Sequence, residues 1–326
     1  MSNPRAPSSL APSLPGRIAV WVVPVGLGLA IVATWLVFLA GAGMRSVIAW
    51  VLLQSLLPLA GLVGLLSVGA VLARRWWRRR QKPGPGMTRP LATMLGVSLA
   101  ALATVPWMVG VATMEFPYRL ATTAPSATVR LPATVPLRVL WGGDRLATNH
   151  HASFPDQRWA YDLVVEPALR DSKQLTDYGC WGVEVVAPTA ARVHLAHDGE
   201  MDLTPGPPGL PLQPLGNHVV LALPEGYLVL AHLQKDSVRV REGEQVAEGQ
   251  PLGRCGNSGN TSEPHIHMHL QRQDPRGRPV NFSEGLPLFF RDHDGAAMPE
   301  GGFVERDGRA VATGAIVHHR GPVGLR

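Results

Sequence analysis

The chain has 326 residues, 46% of them hydrophobic and 17% charged, with a net charge of +6. Soluble domains usually carry about 25% charged residues, so the composition argues against a chain that is soluble throughout. It favours a membrane part, residues 1 to about 114, followed by one globular domain. Residues 1–17 are rich in Pro and Ser and read as a disordered inner tail. Residues 18–40, 47–73 and 91–114 follow, each without a charged side chain. About 20 apolar residues cross a bilayer core, and membrane helices tolerate prolines such as Pro24, Pro58 and Pro106. The first run is longer than the apolar core of a cleavable leader, and two more runs follow it. Between the second and third runs lies a basic cluster, Arg74 to Lys82 with Trp76 and Trp77. Positive loops stay inside, so three crossings from an inner start place everything after about Glu115 outside. The cluster's position between two spans accounts for it without nucleic acid, and it suits contact with a lipid bilayer. Since much of the net charge sits in this one loop, that charge says little about the substrate.

Residues 121–135 are small, polar and Pro-containing, and 115–135 reads as a linker or an extended approach strand. From 136 to 290 the pattern becomes short strands between Gly and Pro turns. Residues 182–187, 191–195, 218–223, 227–232, 237–240, 245–252 and 265–271 are the candidates. No stretch keeps a helical period, so the expected fold is an all-β domain built on an antiparallel sheet. Residues 291–326, rich in Gly and charge, read as a C-terminal tail. Cys180 and Cys255 both fall in the outer part. They are either a disulfide or two free thiols, since spacing alone does not give their separation.

In Pro264-His265-Ile266-His267-Met268-His269, alternate side chains share one face of a strand. That places His265, His267 and His269 together, with His269 an incidental residue pointing to the end of the site or to solvent. Neutral imidazole is a common zinc ligand, but catalytic zinc takes three protein ligands and an open position. A second cluster lies upstream: Asn149-His150-His151, then Asp162 within the apolar run Tyr161 to Val165. A buried unpaired carboxylate is costly, and a cation beside Asp162 would remove that cost. A third candidate is His232, at the end of the strand Tyr227 to His232.

Together these residues resemble the lysostaphin-type, or LytM-type, zinc metallopeptidases, which cleave peptides of peptidoglycan. The likeness covers about residues 139–285. Its most specific parts are Gly249-Gln250-Pro251-Leu252-Gly253, then Gly256-Asn257-Ser258-Gly259-Asn260-Thr261, and finally Pro264-His265-Ile266-His267. Gly216 to Val220 and Tyr227 to Val246 are similar to the segments before them. The resemblance implies a Zn2+ held by His267, Asp162 and an upstream His, with His232 and His265 as the catalytic pair. His265 would be general base and His232 would hydrogen-bond the oxyanion. In the commonest pattern the upstream His precedes Asp by four positions, but here that position is Arg158. A subgroup with Asn-x-His and a longer loop matches better, which implies His151, with His150 as the alternative. The implied partners are peptidoglycan peptides and no nucleic acid. Some relatives lack ligands and instead bind the wall or activate hydrolases, so a non-catalytic module is the rival reading. Transport by the spans is a weaker one, because the spans hold no charges.

Overall fold

The computed structural model describes residues 14–79, 87–169, 171–207, 209 and 212–320. Most of the expected inner tail, and Arg80, Gln81 and Lys82 of the basic cluster, lie outside the described residues. The chain divides into two compact units, 1–113 and 114–326.

The first unit contains α1 (Leu14–Leu39), α2 (Gly43–Gln54), α3 (Leu56–Arg79), α4 (Arg89–Leu102) and the short α5 (Val105–Met108). Among the described residues, three stretches are long and apolar enough to cross a membrane: Val20–Leu39, Gly43–Arg78 and Arg89–Met108. The second is broken at Ser55, which leaves helical geometry at φ −134° and ψ −71°. The break lies just before Pro58, which has no N–H to give the Gln54 carbonyl one turn back. α3 and α4 pack through small residues: a Cβ added at Gly61 would meet the Ala101 Cβ at 2.8 Å. Such residues let apolar helices approach where water supplies no driving force. Leu29, Leu36, Leu59 and Leu66 all point outward and exposed.

The second unit is rich in β-structure. A nine-stranded sheet runs in the order β15–β2–β3–β10–β7–β6–β5–β8, with β11 also paired to β10. Its strands are β2 (Leu137–Trp141), β3 (Tyr161–Val164), β5 (Ala191–His197), β6 (Asn217–Ala222), β7 (Tyr227–Leu233), β8 (Gln245–Val246), β10 (Ile266–Gln271), β11 (Gly285–Leu286) and β15 (Ile316–Val317). Every pairing within it is antiparallel. Three small pairs accompany it: β4 (Glu184–Val186) with β9 (Pro251–Arg254), β13 (Phe303–Arg306) with β14 (Arg309–Ala312), and β1 (Ala127–Val129) with β12 (Leu288–Phe290). The β1–β12 pair is parallel. Alternation sorts β10: Ile266, Met268 and Leu270 enter the main core with Leu163, Leu228 and Leu230. The opposite face is left to His265, His267 and His269.

Three segments differ from their sequence reading. Residues 115–135 do not form a free linker: Phe116, Tyr118, Val129 and Leu131 are buried, and β1 pairs within the domain. Arg158 secures this segment, donating from Nε to the Phe116 carbonyl and from a terminal nitrogen to Glu115, at 3.0 and 2.8 Å. Residues 291–320 are not a loose tail either. β15 pairs with β2 at the sheet edge, and β13 and β14 form a hairpin across Asp307-Gly308, both at positive φ (52° and 72°), the geometry of a tight two-residue turn. Residues 237–240 are not a strand, because their N–H groups serve single partners such as Asp198 and the Leu252 carbonyl.

Cys180 and Cys255 form a disulfide across 75 residues, with Cα atoms 5.9 Å apart. It ties the turn before β4 to the residue after β9. Crosslinking a loop of this size restricts the unfolded chain, and its loss typically costs about 2–5 kcal/mol. Denaturant unfolding of the full chain, with and without reductant, should therefore show a lower midpoint for this unit after reduction. An unchanged midpoint would contradict a structural role for the bond.

Candidate metal centre

The register of the sheet assembles the site. His267 on β10 lies directly opposite Asp162 on β3 and opposite Ala231 on β7. The chain therefore brings positions 162, 232 and 267 together through two strand pairings. His232 needs one more device. Between Asn217–Leu233 and Val219–Leu230, β7 carries one residue more than β6, a bulge. His232 sits in that bulge at φ 61°, and bulges commonly re-aim a side chain beside a site. Strict alternation would send His232 to the core face with Leu230. Instead its ring lies 4.8 Å from that of His265 and 5.5 Å from that of His267.

Asp162 is the hub. His151 Nε2 lies 2.9 Å from its Oδ2, and His267 Nδ1 lies 2.8 Å from its Oδ1. His265 Nε2 is 3.5 Å from Oδ1. His151 reaches the hub because Asn149 caps a 3-10 turn at His150–Ser153, accepting the His151 N–H. The Asn149 amide also donates to the Gly143 and Ala160 carbonyls. The His150 ring lies tilted against that of His151 at 3.9 Å and meets the Trp141 ring edge-on at 4.6 Å. It offers a ring nitrogen within 4.8 Å of the His151 and Asp162 donors, but it makes no hydrogen bond to Asp162. Arg158, four residues before Asp162, takes no part, since its guanidinium is committed to Glu115, Asp144 and Phe116. His269 departs from its reading as an incidental residue: it is buried, with Nδ1 2.9 Å from His267 Nε2. Gln271, next on the same face, was not singled out from sequence.

Burial pushes the Asp162 carboxyl up, but His151 and His265 outweigh it and hold it well below the usual carboxylate range. Burial pulls His265 down, yet the Asp162 charge and hydrogen bond leave it raised. Burial and neighbouring imidazoles push His232 well below its ordinary value. Burial, with smaller contributions from neighbours, lowers His150 and His269 to about 3 each.

His232 and His265 each give Nδ1–H to a backbone carbonyl, of Ser258 and Glu263, both at 2.8 Å. A carbonyl only accepts, so each neutral ring turns an Nε2 lone pair to the site. Around Asp162 the cavity is about 310 Å³, and no Lys or Arg is among its described lining residues. Convergent imidazole nitrogens around a buried carboxylate, with no lysine or arginine among the described lining residues, fit a divalent metal with nitrogen and oxygen ligands. A larger polar groove of about 1060 Å³ adjoins this cavity and shares Ser262 and Glu263 with it. Lys173, Pro205 and Arg309 also line the groove, so three separate loops, one of them the β13–β14 turn, border it.

Residues 178–282 match peptidase family M23. This stretch of the chain is similar to M23 peptidases. The matched stretch holds His232, His265 and His267, while His151 and Asp162 precede it. The peptidoglycan DD-endopeptidase ShyA of Vibrio cholerae is 32% identical over 141 residues, which is 43% of this chain and 30% of ShyA. The cell division protein DipM of Caulobacter vibrioides is 27% identical over 111 residues, 34% of this chain and 17% of DipM. The chain thus spans less than a third of either relative's length. Lysostaphin from Staphylococcus simulans aligns with 49% of this chain and 53% of its own at 16% identity and a TM-score of 0.29, too slight a likeness to carry weight.

The second unit's buried histidines set its acid response. His150 and His269 are neutral in the folded state down to about pH 3, whereas unfolded histidine titrates near about 6.5. Their contribution to stability is complete above the unfolded value and is lost as pH falls through it. His265, raised by Asp162, and Asp156 and Glu263, raised by burial, act with the opposite sign, but they stand against His150, His232, His267 and His269 together. Thermal unfolding of the metal-free full chain should show a lower midpoint for this unit at about pH 5 than at about pH 7.5. An equal or higher midpoint in acid would contradict this.

Proposed function

We propose that the chain is a membrane-anchored zinc metalloendopeptidase that hydrolyses peptide bonds of peptidoglycan outside the cytoplasm. The observation that carries the reading is the convergence of His151 and His267 on the two oxygens of buried Asp162, with His232 and His265 facing the same cavity. The naming of ShyA as a peptidoglycan DD-endopeptidase supports the substrate class. Support for the anchor comes from the three apolar stretches, their outward leucines, and the basic residues Arg74, Arg75 and Arg78 at the end of the second. Positive loops stay inside, which puts the second unit on the outer face.

His151, Asp162 and His267 would hold the zinc, which when bound supplies Lewis acidity and activation of water. The cavity walls bring a peptide carbonyl up to these residues and limit bulk solvent. His265 takes the proton of the attacking water at Nε2, the position left free by its Nδ1–H bond to the Glu263 carbonyl. The same Nε2 then returns that proton to the leaving amine. His232, fixed by Ser258, hydrogen-bonds the developing oxyanion when it carries a proton at Nε2. The adjoining groove accommodates the chain on one side of the scissile bond.

The test uses the purified full chain on isolated peptidoglycan, with mass spectrometry of the released peptides. The wild type should release peptides, lose this under a chelator and regain it with zinc. His267→Ala should abolish release together with metal content. His265→Ala should keep the metal and slow release by about 10²–10⁴-fold, the usual worth of a general base. Zinc binding without any peptide release would favour the non-catalytic wall-binding or hydrolase-activating reading instead. Undiminished release by His267→Ala would overturn the proposal.

A further inference from the structure

We propose that His269 and Gln271 are positioning residues that lock His267 in the one tautomer able to bind a metal through Nδ1; this rests on the metal reading above. His267, His269 and Gln271 follow one another along the inner face of β10, all buried. Their hydrogen bonds can be assigned from the far end, where only one direction is chemically allowed. The Gln273 carbonyl can only accept, and the Gln271 Nε2 amide donates to it at 2.7 Å. The Gln271 amide oxygen is thereby turned to His269, whose Nε2 donates to it at 3.1 Å. A neutral His269 with its proton on Nε2 has a lone pair on Nδ1. That lone pair accepts from His267 Nε2 at 2.9 Å. His267 is left with its proton on Nε2 and a lone pair on Nδ1, which faces Asp162 Oδ1 at 2.8 Å.

Two acceptors at hydrogen-bond distance repel unless a cation or proton lies with them. The relay therefore prepares a place for positive charge at Asp162. Its outer end is itself pinned, since the Gln273 side chain accepts from Ser283 and from the Glu284 N–H and donates to the Glu284 carboxylate. Bonds of this kind behind a metal-binding histidine set its tautomer and ring orientation, and their loss typically weakens metal affinity by about 10–100-fold.

The test compares two nearly isosteric changes in the full chain, with the zinc dissociation constant measured by competition against a chelating dye. His269→Asn keeps an acceptor at the δ position, whereas His269→Leu keeps the shape and removes it. The leucine variant should bind zinc about 10–100-fold more weakly, and the asparagine variant should recover most of that loss. Should the leucine chain fail to fold, Gln271→Met removes the acceptor that orients His269 at almost constant volume, and it should weaken zinc in the same direction. Wild-type affinity in the folded leucine or methionine variant would overturn the relay while leaving the metal centre standing. Equal losses in the leucine and asparagine variants would also overturn it, as they would reflect packing alone. A wild-type chain that binds no zinc would overturn the relay and the metal reading together.

Discussion

Asp162 is a buried carboxylate with no lysine or arginine among the described residues of its cavity. An ion so placed needs a partner, because desolvation is expensive and neutral contacts do not repay it. The chain answers with imidazoles: His151 on one oxygen, His267 and, further off, His265 on the other. Imidazoles are weak cations at neutral pH, and two of those near Asp162, His150 and His269, are driven to about 3 by burial. A divalent ion would satisfy the buried anion and the imidazole lone pairs around it together. Much of the surrounding architecture serves to keep those donors aimed.

That aim comes from pairing, not from loops alone. The antiparallel register sets His267 opposite Asp162, and a slip of one residue would turn β10's histidines into the core and its Met268 into the cavity. The bulge on β7 brings His232 over from the core side. Asn149 shapes the 3-10 turn that presents His151. Behind β10 lies the hydrophobic core, and the Cys180–Cys255 crosslink closes one end of the β4–β9 pair.

Much of this was legible because it is local. The three apolar runs stand out by length alone, and the alternation His265, His267, His269 declared one face of a strand. Asp162 stood out as a carboxylate within an apolar run. What escaped depends on distant partners. Residues 115–135 look like a linker until Arg158, which is absent from the site, is seen holding Glu115 and Phe116. The C-terminal segment looked like a tail, although Asp307-Gly308 between two short runs is a hairpin signal that could have been read. Its edge pairing with β2 has no local signature. The disulfide was undecidable from spacing. His269 seemed incidental because sequence shows the strand face but not that Gln271 and Gln273 complete a chain behind it.

The central claim is that His151, Asp162 and His267 share one divalent ion. Zinc-edge anomalous diffraction from crystals of the full chain tests it most directly. The account predicts a single strong peak bounded by those three side chains, with His232 and His265 facing it and not bound to it. A peak held instead by His232 and His265, or no peak beside Asp162 in zinc-saturated crystals, would contradict it.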